Sequence, residues 1–311
     1  MDEIKGGAVI VIDGATGTEL QRRGAPMHSG AWCAAATQSH PEVLHEIHAD
    51  YIRCGARVVT ANTFATTREV LEPNGLGGRF EALNRQAVEI AVAARDTTPS
   101  DKPVLVAGSI SHTRPSGGSS GHAWSPESGD IEKFEADCTE MVAIHKAAGA
   151  DLILGEMLGC PDFTPCVIRA AQANDMPLWL GISTMAGADG TLRCYTNDAQ
   201  PLGDVLESIV AVGGADVIGI MHSKPGVTLA ALEILKQHWH GPLMAYPDSL
   251  TGDDEPVDAI TFDHVIGDEA FVDYCDQWQD AGVQVLGGCC GLTVSHIAAL
   301  TRHLSDVAAH A

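Results

Sequence analysis

Short runs of apolar residues recur eight times along the chain, and helical spacing of apolar residues follows them. The runs are rich in Val, Ile and Leu, and they occupy residues 8–12, 57–61, 104–107, 151–154, 178–182, 216–220, 243–246 and 283–286. Runs that are apolar throughout are typical of strands buried on both faces of a parallel sheet. The pattern therefore predicts eight parallel strands.

The segments between the runs predict helices near residues 79–95, 131–148, 163–174, 202–214, 228–238, 269–281 and 294–306. An earlier helix should begin after Ser39, a candidate N-cap that is followed by Pro41 and Glu42. Glycines lie just after several helical stretches, as C-terminal caps do, at Gly55, Gly149, Gly214 and Gly282. Eightfold strand–helix alternation favours an α/β fold of the closed (β/α)8 TIM barrel type over an open doubly wound sheet.

The length of 311 residues suits one such barrel, which typically needs about 250 residues. We therefore predict a single (β/α)8 barrel domain over residues 1–311. No glycine-rich nucleotide-binding motif follows the first strand. Residues 115–121 read PSGGSSG and predict a mobile loop near the mouth of the barrel.

The charge balance disfavours two classes of partner. Lys and Arg number 18 against 41 Asp and Glu, a net charge of −23, so no basic surface for nucleic acid or an anionic membrane is expected. No apolar stretch approaches the roughly 18 residues of a membrane span, and the first apolar run is too short for a secretory signal. The cytoplasm is the expected compartment. Nine cysteines, an odd and dilute set, agree with reduced thiols.

Polar residues follow the predicted strands almost without exception. In a (β/α)8 barrel the catalytic groups lie at these carboxyl ends of the strands. Any one of the residues could simply cap a strand or form a satisfied buried hydrogen bond, but their convergence indicates a functional site. They are Asp13, Asn62, Ser109, Glu156, Ser183, His222, Asp248 and the pair Cys289 and Cys290.

The segment 287–291 reads GGCCG and is the most specific feature. Its glycines allow a tight turn that presents adjacent thiols to one point. The pair could also be two inert small residues or a vicinal disulfide. Two thiolates suit zinc, which takes four tetrahedral ligands and keeps one position open in catalytic sites. His222 is the best candidate for a third protein ligand, its alternative being a hydrogen-bonded structural role.

With these motifs on view, the chain resembles the homocysteine S-methyltransferase family, which includes betaine–homocysteine and S-methylmethionine–homocysteine methyltransferases. The likeness extends over nearly the whole chain. It is carried by DGATGTEL at 13–20, TANTF at 60–64, the segment 149–156, YPDS at 246–249 and GGCCG at 287–291.

The resemblance implies a zinc ion held by three cysteines, to which the substrate thiol coordinates as a thiolate. Two of the three match Cys289 and Cys290, whereas the third position carries His222. Two other departures are Met157, where the family commonly has threonine, and Asp248, where asparagine is common. They bear on the identity of the thiol and of the methyl donor.

The resemblance also implies the reaction: a methyl group moves from a small onium donor to homocysteine or a similar thiol, giving methionine. Glu156 should face the substrate ammonium group, and Asp13 with the turn at 14–18 should shape the amino-acid pocket. No catalytic residue beyond the metal ligands is predicted. The full predicted substrate-binding set is Asp13, Gly14, Thr16, Glu19, Asn62, Glu156 and Asp248.

Charge counting favours a sulfonium donor over a betaine-type donor, because a neutral histidine makes the metal site less negative than a third thiolate would. Two other functions stay open: a zinc hydrolase that activates water on the same barrel, and a non-catalytic thiol- or metal-binding homologue. The expected partners are small molecules only, without nucleic acid or membrane. A homo-oligomer is left open.

Overall fold

A computed structural model of the chain describes residues 2–112, 130–195, 197–250 and 264–310. The predicted loop at 115–121 lies outside these residues. Eight of the strands form one parallel sheet, which confirms the eight predicted strands to within a few residues at each end. They are β1 (Ile10–Val11), β2 (Val58–Thr60), β3 (Leu105–Ile110), β4 (Leu152–Gly155), β5 (Leu178–Ile182), β9 (Val217–Met221), β10 (Leu243–Tyr246) and β11 (Val283–Leu286).

The sheet has the order β1-β11-β10-β9-β5-β4-β3-β2, and it curls until its two edge strands meet. Ile12, just after β1, forms a parallel bridge with Val58 of β2. The Asp13 N–H donates to the Val58 carbonyl oxygen over 3.0 Å. These contacts close the ring, so the predicted (β/α)8 barrel is confirmed.

Helices surround the barrel at the predicted positions. The long ones are α4 (Pro41–Arg53), α6 (Phe80–Thr97), α7 (Ile131–Ala148), α8 (Thr164–Ala173), α9 (Leu202–Val212), α10 (Pro225–Leu235), α11 (Asp268–Asp280) and α12 (Val294–His310). The short ones are α1 (Asp2–Lys5), α2 (Gly17–Arg22), α3 (Ala36–Ser39), α5 (Arg68–Leu71) and a 3-10 turn at Gly77–Arg79. No helix in the described residues is both long and apolar enough to cross a membrane.

The predicted helix caps are partly wrong. His40, not Ser39, is the N-cap of α4, because Ser39 belongs to α3 and its hydroxyl donates to the Ala35 carbonyl oxygen over 3.2 Å. At the other ends Gly55, Gly149 and Gly282 lie just after their helices with left-handed φ values, as expected. The exception is α9, which is capped by Gly213, one residue before the predicted Gly214. Gly149 caps α7 with a φ of 101°, a left-handed conformation that favours glycine.

A small antiparallel sheet, which the sequence patterns did not predict, lies between β5 and α9. It consists of β6 (Thr184–Ala186), β7 (Leu192–Cys194) and β8 (Asn197–Pro201), in that order. Its strands are short; two of the three residues of β6 are exposed, and two of the three residues of β7 are half-buried. Neither a continuous apolar run nor a clear alternation marks them, so periodicity carries no signal.

A glycine lies where two neighbouring strands of the barrel approach each other closely. Gly219 of β9 pairs with Met244 of β10, and a Cβ added at Gly219 would lie 2.0 Å from the Met244 carbonyl oxygen. Backbone cannot move aside as a flexible side chain can. The sequence therefore needs glycine at this position, three residues before His222.

We expect Gly219→Ala to lower the free energy of unfolding by about 1–3 kcal/mol, the usual cost of overpacking a core. The matched control is Gly226→Ala in α10, where an added Cβ meets nothing within 4 Å. Alanine is the better helix former, so this control should raise stability by up to about 1 kcal/mol. Chemical denaturation of both variants measures the difference, and equal stability of the two would contradict the close approach of β9 and β10.

Candidate metal and substrate site

Three side chains able to bind metal lie together at the carboxyl end of the barrel. His222 Nδ1 is 3.5 Å from Cys289 Sγ, and Cys289 Sγ is 3.8 Å from Cys290 Sγ. The ligand atoms of the three lie within 4.8 Å of one another, and each side chain is partly exposed. In the described part of the chain no other group of three or more His, Cys, Asp or Glu side chains meets this condition.

These separations fit a tetrahedral zinc ion. Zinc binds thiolate sulfur at about 2.3 Å and imidazole nitrogen at about 2.0–2.1 Å, so two sulfur ligands lie about 3.8 Å apart and a nitrogen and a sulfur about 3.5 Å apart. The Cys289–Cys290 distance of 3.8 Å and the His222–Cys289 distance of 3.5 Å match these expected separations between ligand atoms. Three protein ligands leave the fourth position for a substrate atom.

His222 reaches the site through an uncommon backbone conformation. It follows β9 directly and has a φ of 41°, in the left-handed region. Such strain persists only where the surroundings fix the residue. Here the His222 N–H donates to the Tyr246 carbonyl oxygen over 3.2 Å, which holds the turn against β10.

The cysteine loop is held by backbone hydrogen bonds to two neighbouring segments. The Cys289 N–H donates to the Pro247 carbonyl oxygen over 2.8 Å, and the Ser249 N–H donates to the Cys290 carbonyl oxygen over 3.0 Å. On the other side the Gly288 N–H donates to the Asp13 carbonyl oxygen over 3.1 Å. The backbone that carries the two thiols is therefore fixed by hydrogen bonds of the main chain.

The two cysteines hold their protons unequally. The Cys289 thiol donates a hydrogen bond to Cys290, which lowers the pKa of Cys290 to about 6, and His222 acts in the same direction against the effect of burial. The same hydrogen bond, together with burial, raises the pKa of Cys289 well above its usual range. One thiolate is thus available near neutral pH, and a cation bound by both sulfurs must displace the proton of Cys289.

Glu156 follows β4 and interacts electrostatically with the cluster. Its Oε2 accepts a hydrogen bond from the Ser109 hydroxyl. Burial raises the pKa of Glu156 to about 7, and negative charge on Cys290 acts in the same direction, whereas Ser109 and His222 oppose the shift. A positively charged group at the mouth would stabilise this carboxylate.

Asp13 follows β1 and is only 2% exposed. Its carboxylate accepts hydrogen bonds from the Thr60 N–H over 2.6 Å and from the Thr60 hydroxyl over 2.9 Å. Burial nevertheless raises the pKa of Asp13 to about 7, and the charge of Glu156 adds to this. Two acidic groups near the candidate metal ligands therefore have pKa values raised to about 7.

The turn after Asp13 packs directly on the cysteine loop. The Ala15 N–H donates to the Leu292 carbonyl oxygen over 2.9 Å, and the Gly291 N–H donates to the Thr18 hydroxyl over 3.2 Å. At Gly14 an added Cβ would lie 2.4 Å from the Leu292 oxygen, so a side chain has no room there. Thr16 begins the next turn, and its hydroxyl faces the Thr60 carbonyl oxygen at 3.4 Å.

Three further predicted substrate-binding residues have protein partners of their own. Glu19 is paired with Arg22 and Arg23, whose hydrogen bonds lower the pKa of Glu19 although burial acts to raise it. Asn62 accepts a hydrogen bond from the Cys33 thiol over 2.9 Å and donates to the loop around Cys33.

Asp248 is the third of these. Its Oδ1 accepts a hydrogen bond from the Leu250 N–H over 2.8 Å, and its Oδ2 lies 2.6 Å from Lys224 Nζ. Contact of Glu19, Asn62 and Asp248 with substrate stays a prediction. In the folded chain Asn62 and Asp248 also bond to neighbouring loops, whereas the partners of Glu19 lie at the end of its own helix.

Two residues that sequence reasoning missed complete the site. Tyr246 ends β10, where burial raises the pKa of its hydroxyl well above the usual range and the charges of Glu156, Cys289 and Asp13 add to this shift. Tyr195, after β7, packs against the ring of His222. Tyr246 could have been found as the residue before Pro247 in a strand-end motif, whereas no sequence pattern marks Tyr195.

The chain is similar to known proteins over nearly its full length. The family model described as homocysteine S-methyltransferase matches residues 10–304. The homocysteine S-methyltransferase of Escherichia coli (strain K12) is 32% identical, with 94% of each chain covered. The selenocysteine Se-methyltransferase of Brassica oleracea var. italica is 28% identical, with 96% of this chain and 89% of that protein covered.

Solved structures agree with this likeness. The metallated form of the homocysteine methyltransferase MmuM from Escherichia coli matches with a TM-score of 0.75 and 26% identity, covering 95% of this chain and 96% of that one. Its oxidised form matches with the same TM-score of 0.75 and 27% identity. The family resemblance seen in the motifs is thus confirmed by whole-chain sequence and by fold.

Proposed function

Because this chain belongs to the homocysteine S-methyltransferase family, we propose that it transfers a methyl group from a small onium donor to the thiol of homocysteine, giving methionine. The observation that carries the proposal is the cluster of His222, Cys289 and Cys290 near two carboxyl groups, those of the half-buried Glu156 and the buried Asp13. A soft metal site next to acidic groups suits a substrate that has both a thiol and an ammonium group.

Zinc is the proposed metal, with His222, Cys289 and Cys290 as its protein ligands. The donor set of two sulfurs and one nitrogen and the tetrahedral spacing support it. Zinc held by these three side chains would supply Lewis-acid chemistry, which lowers the pKa of a bound thiol from its usual value of about 8.5. The acceptor sulfur attacks the methyl carbon, the bond from that carbon to the onium atom breaks, and the donor leaves as a neutral thioether or amine.

Glu156 and Asp13 are proposed to orient the acceptor. The Glu156 carboxylate would accept hydrogen bonds from the substrate ammonium group, held in place by Ser109. Asp13 would shape the amino-acid pocket through its hydrogen bonds to Thr60. We propose that the substrate carboxylate faces the turn at 14–18, which packs on the cysteine loop. Such orientation matters because methyl transfer requires an in-line approach.

We expect Glu156→Gln to raise the KM for homocysteine about tenfold or more, because a hydrogen bond between charged groups contributes about 1.5–3 kcal/mol. The pH dependence has a definite sign. With a pKa of about 7, Glu156 loses its charge as the pH falls through neutrality, so kcat/KM of the parent enzyme should decrease on acidification. In Glu156→Gln that decrease should be shallower.

Steady-state kinetics between about pH 5.5 and 9 measure both effects. The control is Glu233→Gln, an exposed carboxylate on α10 that pairs with Lys236. It should leave the KM and the pH profile unchanged. An unchanged thiol affinity in Glu156→Gln would remove Glu156 from the proposed role.

One assay separates this function from its two alternatives. The purified chain is incubated with an onium donor, with and without homocysteine. Methionine that forms only when both are present supports transfer. Turnover without a thiol would instead indicate a zinc hydrolase, and tight thiol binding without turnover would indicate a binding protein.

A further inference from the structure

The unpredicted antiparallel sheet brings an aromatic ring onto the proposed metal ligand His222. Tyr195 follows β7, and its N–H donates to the Ser183 carbonyl oxygen at the end of β5 over 3.0 Å. The rings of Tyr195 and His222 have centroids 5.5 Å apart and an interplanar angle of 86°. This is the edge-to-face arrangement that aromatic pairs favour.

A second contact joins the same sheet to the turn that contains His222. The Thr184 N–H at the start of β6 donates to the Ser223 hydroxyl over 2.8 Å, and that hydroxyl donates to the Met221 carbonyl oxygen over 2.8 Å. Thr184 and Ser223 are each 2% exposed. Ser223, the residue after His222, is thus held by buried hydrogen bonds, and the side chain of His222 packs against the ring of Tyr195.

A histidine ligand needs this support in a way that a cysteine does not. A thiolate accepts a metal over a wide range of directions, whereas an imidazole nitrogen binds only along its lone pair in the ring plane. The ring nitrogen of His222 that faces Cys289 is Nδ1, which is the one nearer to the backbone. A small rotation of the ring would therefore turn that lone pair away from the two sulfurs.

We propose that Tyr195 is a positioning residue that fixes the ring plane of His222, so that the sheet β6–β7 adapts the barrel to a histidine ligand. The proposal rests on the metal site of the proposed function. In this role Tyr195 acts through its contact with the ring of His222. Its effect should therefore depend on having histidine at position 222.

The test is a double-mutant cycle on zinc affinity, measured by chelator competition and independent of turnover. Tyr195→Leu should weaken zinc binding about 2- to 12-fold, the range that corresponds to an aromatic pair. Tyr195→Phe keeps the ring and should restore affinity to within about twofold of the parent. In a His222→Cys background, Tyr195→Leu should have no effect, because the thiolate has no ring to orient. When cobalt replaces zinc, the visible spectrum of Tyr195→Leu should be shifted relative to that of the parent, and the spectrum of Tyr195→Phe should not.

Controls separate a local effect from unfolding. Met185→Ala alters the same sheet at a side chain that is 41% exposed and should leave zinc affinity unchanged. Tyr195→Met, which keeps bulk without a ring, replaces Tyr195→Leu if the latter does not fold.

Equal losses of zinc affinity in the His222 and His222→Cys backgrounds, or no loss in either, would overturn the proposal. If the parent chain binds no zinc, the proposed metal site fails as well. If the parent binds zinc and transfers the methyl group, and Tyr195→Leu binds zinc with the same affinity as the parent, only the proposed role of Tyr195 fails.

Discussion

Replacing either Cys289 or Cys290 by alanine is expected to lower methyl transfer more than about 100-fold and to reduce bound metal from about one ion per chain to almost none. Outer partners of metal ligands alone typically change affinity or activity about 10- to 100-fold, so loss of a ligand should cost more. Each variant leaves one sulfur and His222, too few protein ligands for a stable tetrahedral site. Metal analysis of the purified variants and a methionine assay measure the two effects together.

The control for this experiment is a cysteine elsewhere in the chain. Cys54 lies at the end of α4, next to Asp50, and is half-buried. Cys54→Ala should retain metal and activity, which would show that the losses are specific to the cysteine loop. Full activity and a full complement of metal in both Cys289→Ala and Cys290→Ala would rule out the site.

Replacing His222 by cysteine is expected to retain zinc but to change the donor preference and the pH profile. A divalent cation with two thiolates and a neutral imidazole has no net formal charge, whereas three thiolates leave one negative charge. The less negative site of the parent should deprotonate the acceptor more readily and leave its sulfur a weaker nucleophile. A sulfonium donor, which is more activated than a quaternary ammonium, should therefore be preferred by the parent.

The sign of the pH effect follows from the same charge count. In His222→Cys the additional negative charge disfavours the acceptor thiolate, so the pH at which the thiol becomes bound should rise by at least about one unit. The sulfur should also become more nucleophilic, so the preference for S-methylmethionine over betaine should narrow. Measuring kcat/KM for both donors at several pH values in the two proteins tests this expectation.

His222→Ala provides the complementary measurement. It should weaken zinc binding strongly, and X-ray absorption of the parent should show a nitrogen ligand that is lost in this variant. A parent metal shell without that nitrogen, or zinc affinity unaltered in His222→Ala, would contradict the assignment of His222 and return it to a structural role.

The charged pair Lys224 and Asp248 illustrates why sequence departures need a structure before they can be interpreted. In the sequence Asp248 stood out because asparagine is common at its position in the family. In the fold its two oxygens are engaged by Lys224 Nζ and by the Leu250 N–H, on the loop whose backbone is bonded to the cysteine turn. The carboxylate thus has a partner 24 residues away, which no local pattern indicates.

The sequence by itself determined the barrel and the positions of its strands. Strands buried on both faces are rich in apolar residues, so β5, β10 and β11 have the residue limits that their apolar runs predict. It also predicted which side chains form the candidate metal site, because parallel strands in a barrel all present their carboxyl ends at one mouth. His222 and Cys289 are 67 residues apart in the chain, yet their positions at strand ends were enough to predict that they meet.

Only the tertiary structure decided how those groups are oriented and which partners they have. The left-handed backbone at His222, the ring of Tyr195 against it and the hydrogen bond from Ser109 to Glu156 all depend on contacts between separate strands. The sheet β6–β7 has neither the apolar run of a buried strand nor the spacing of a helix, so local pattern could not reveal it. Packing against the barrel mouth fixes its position, and packing is a property of the whole fold.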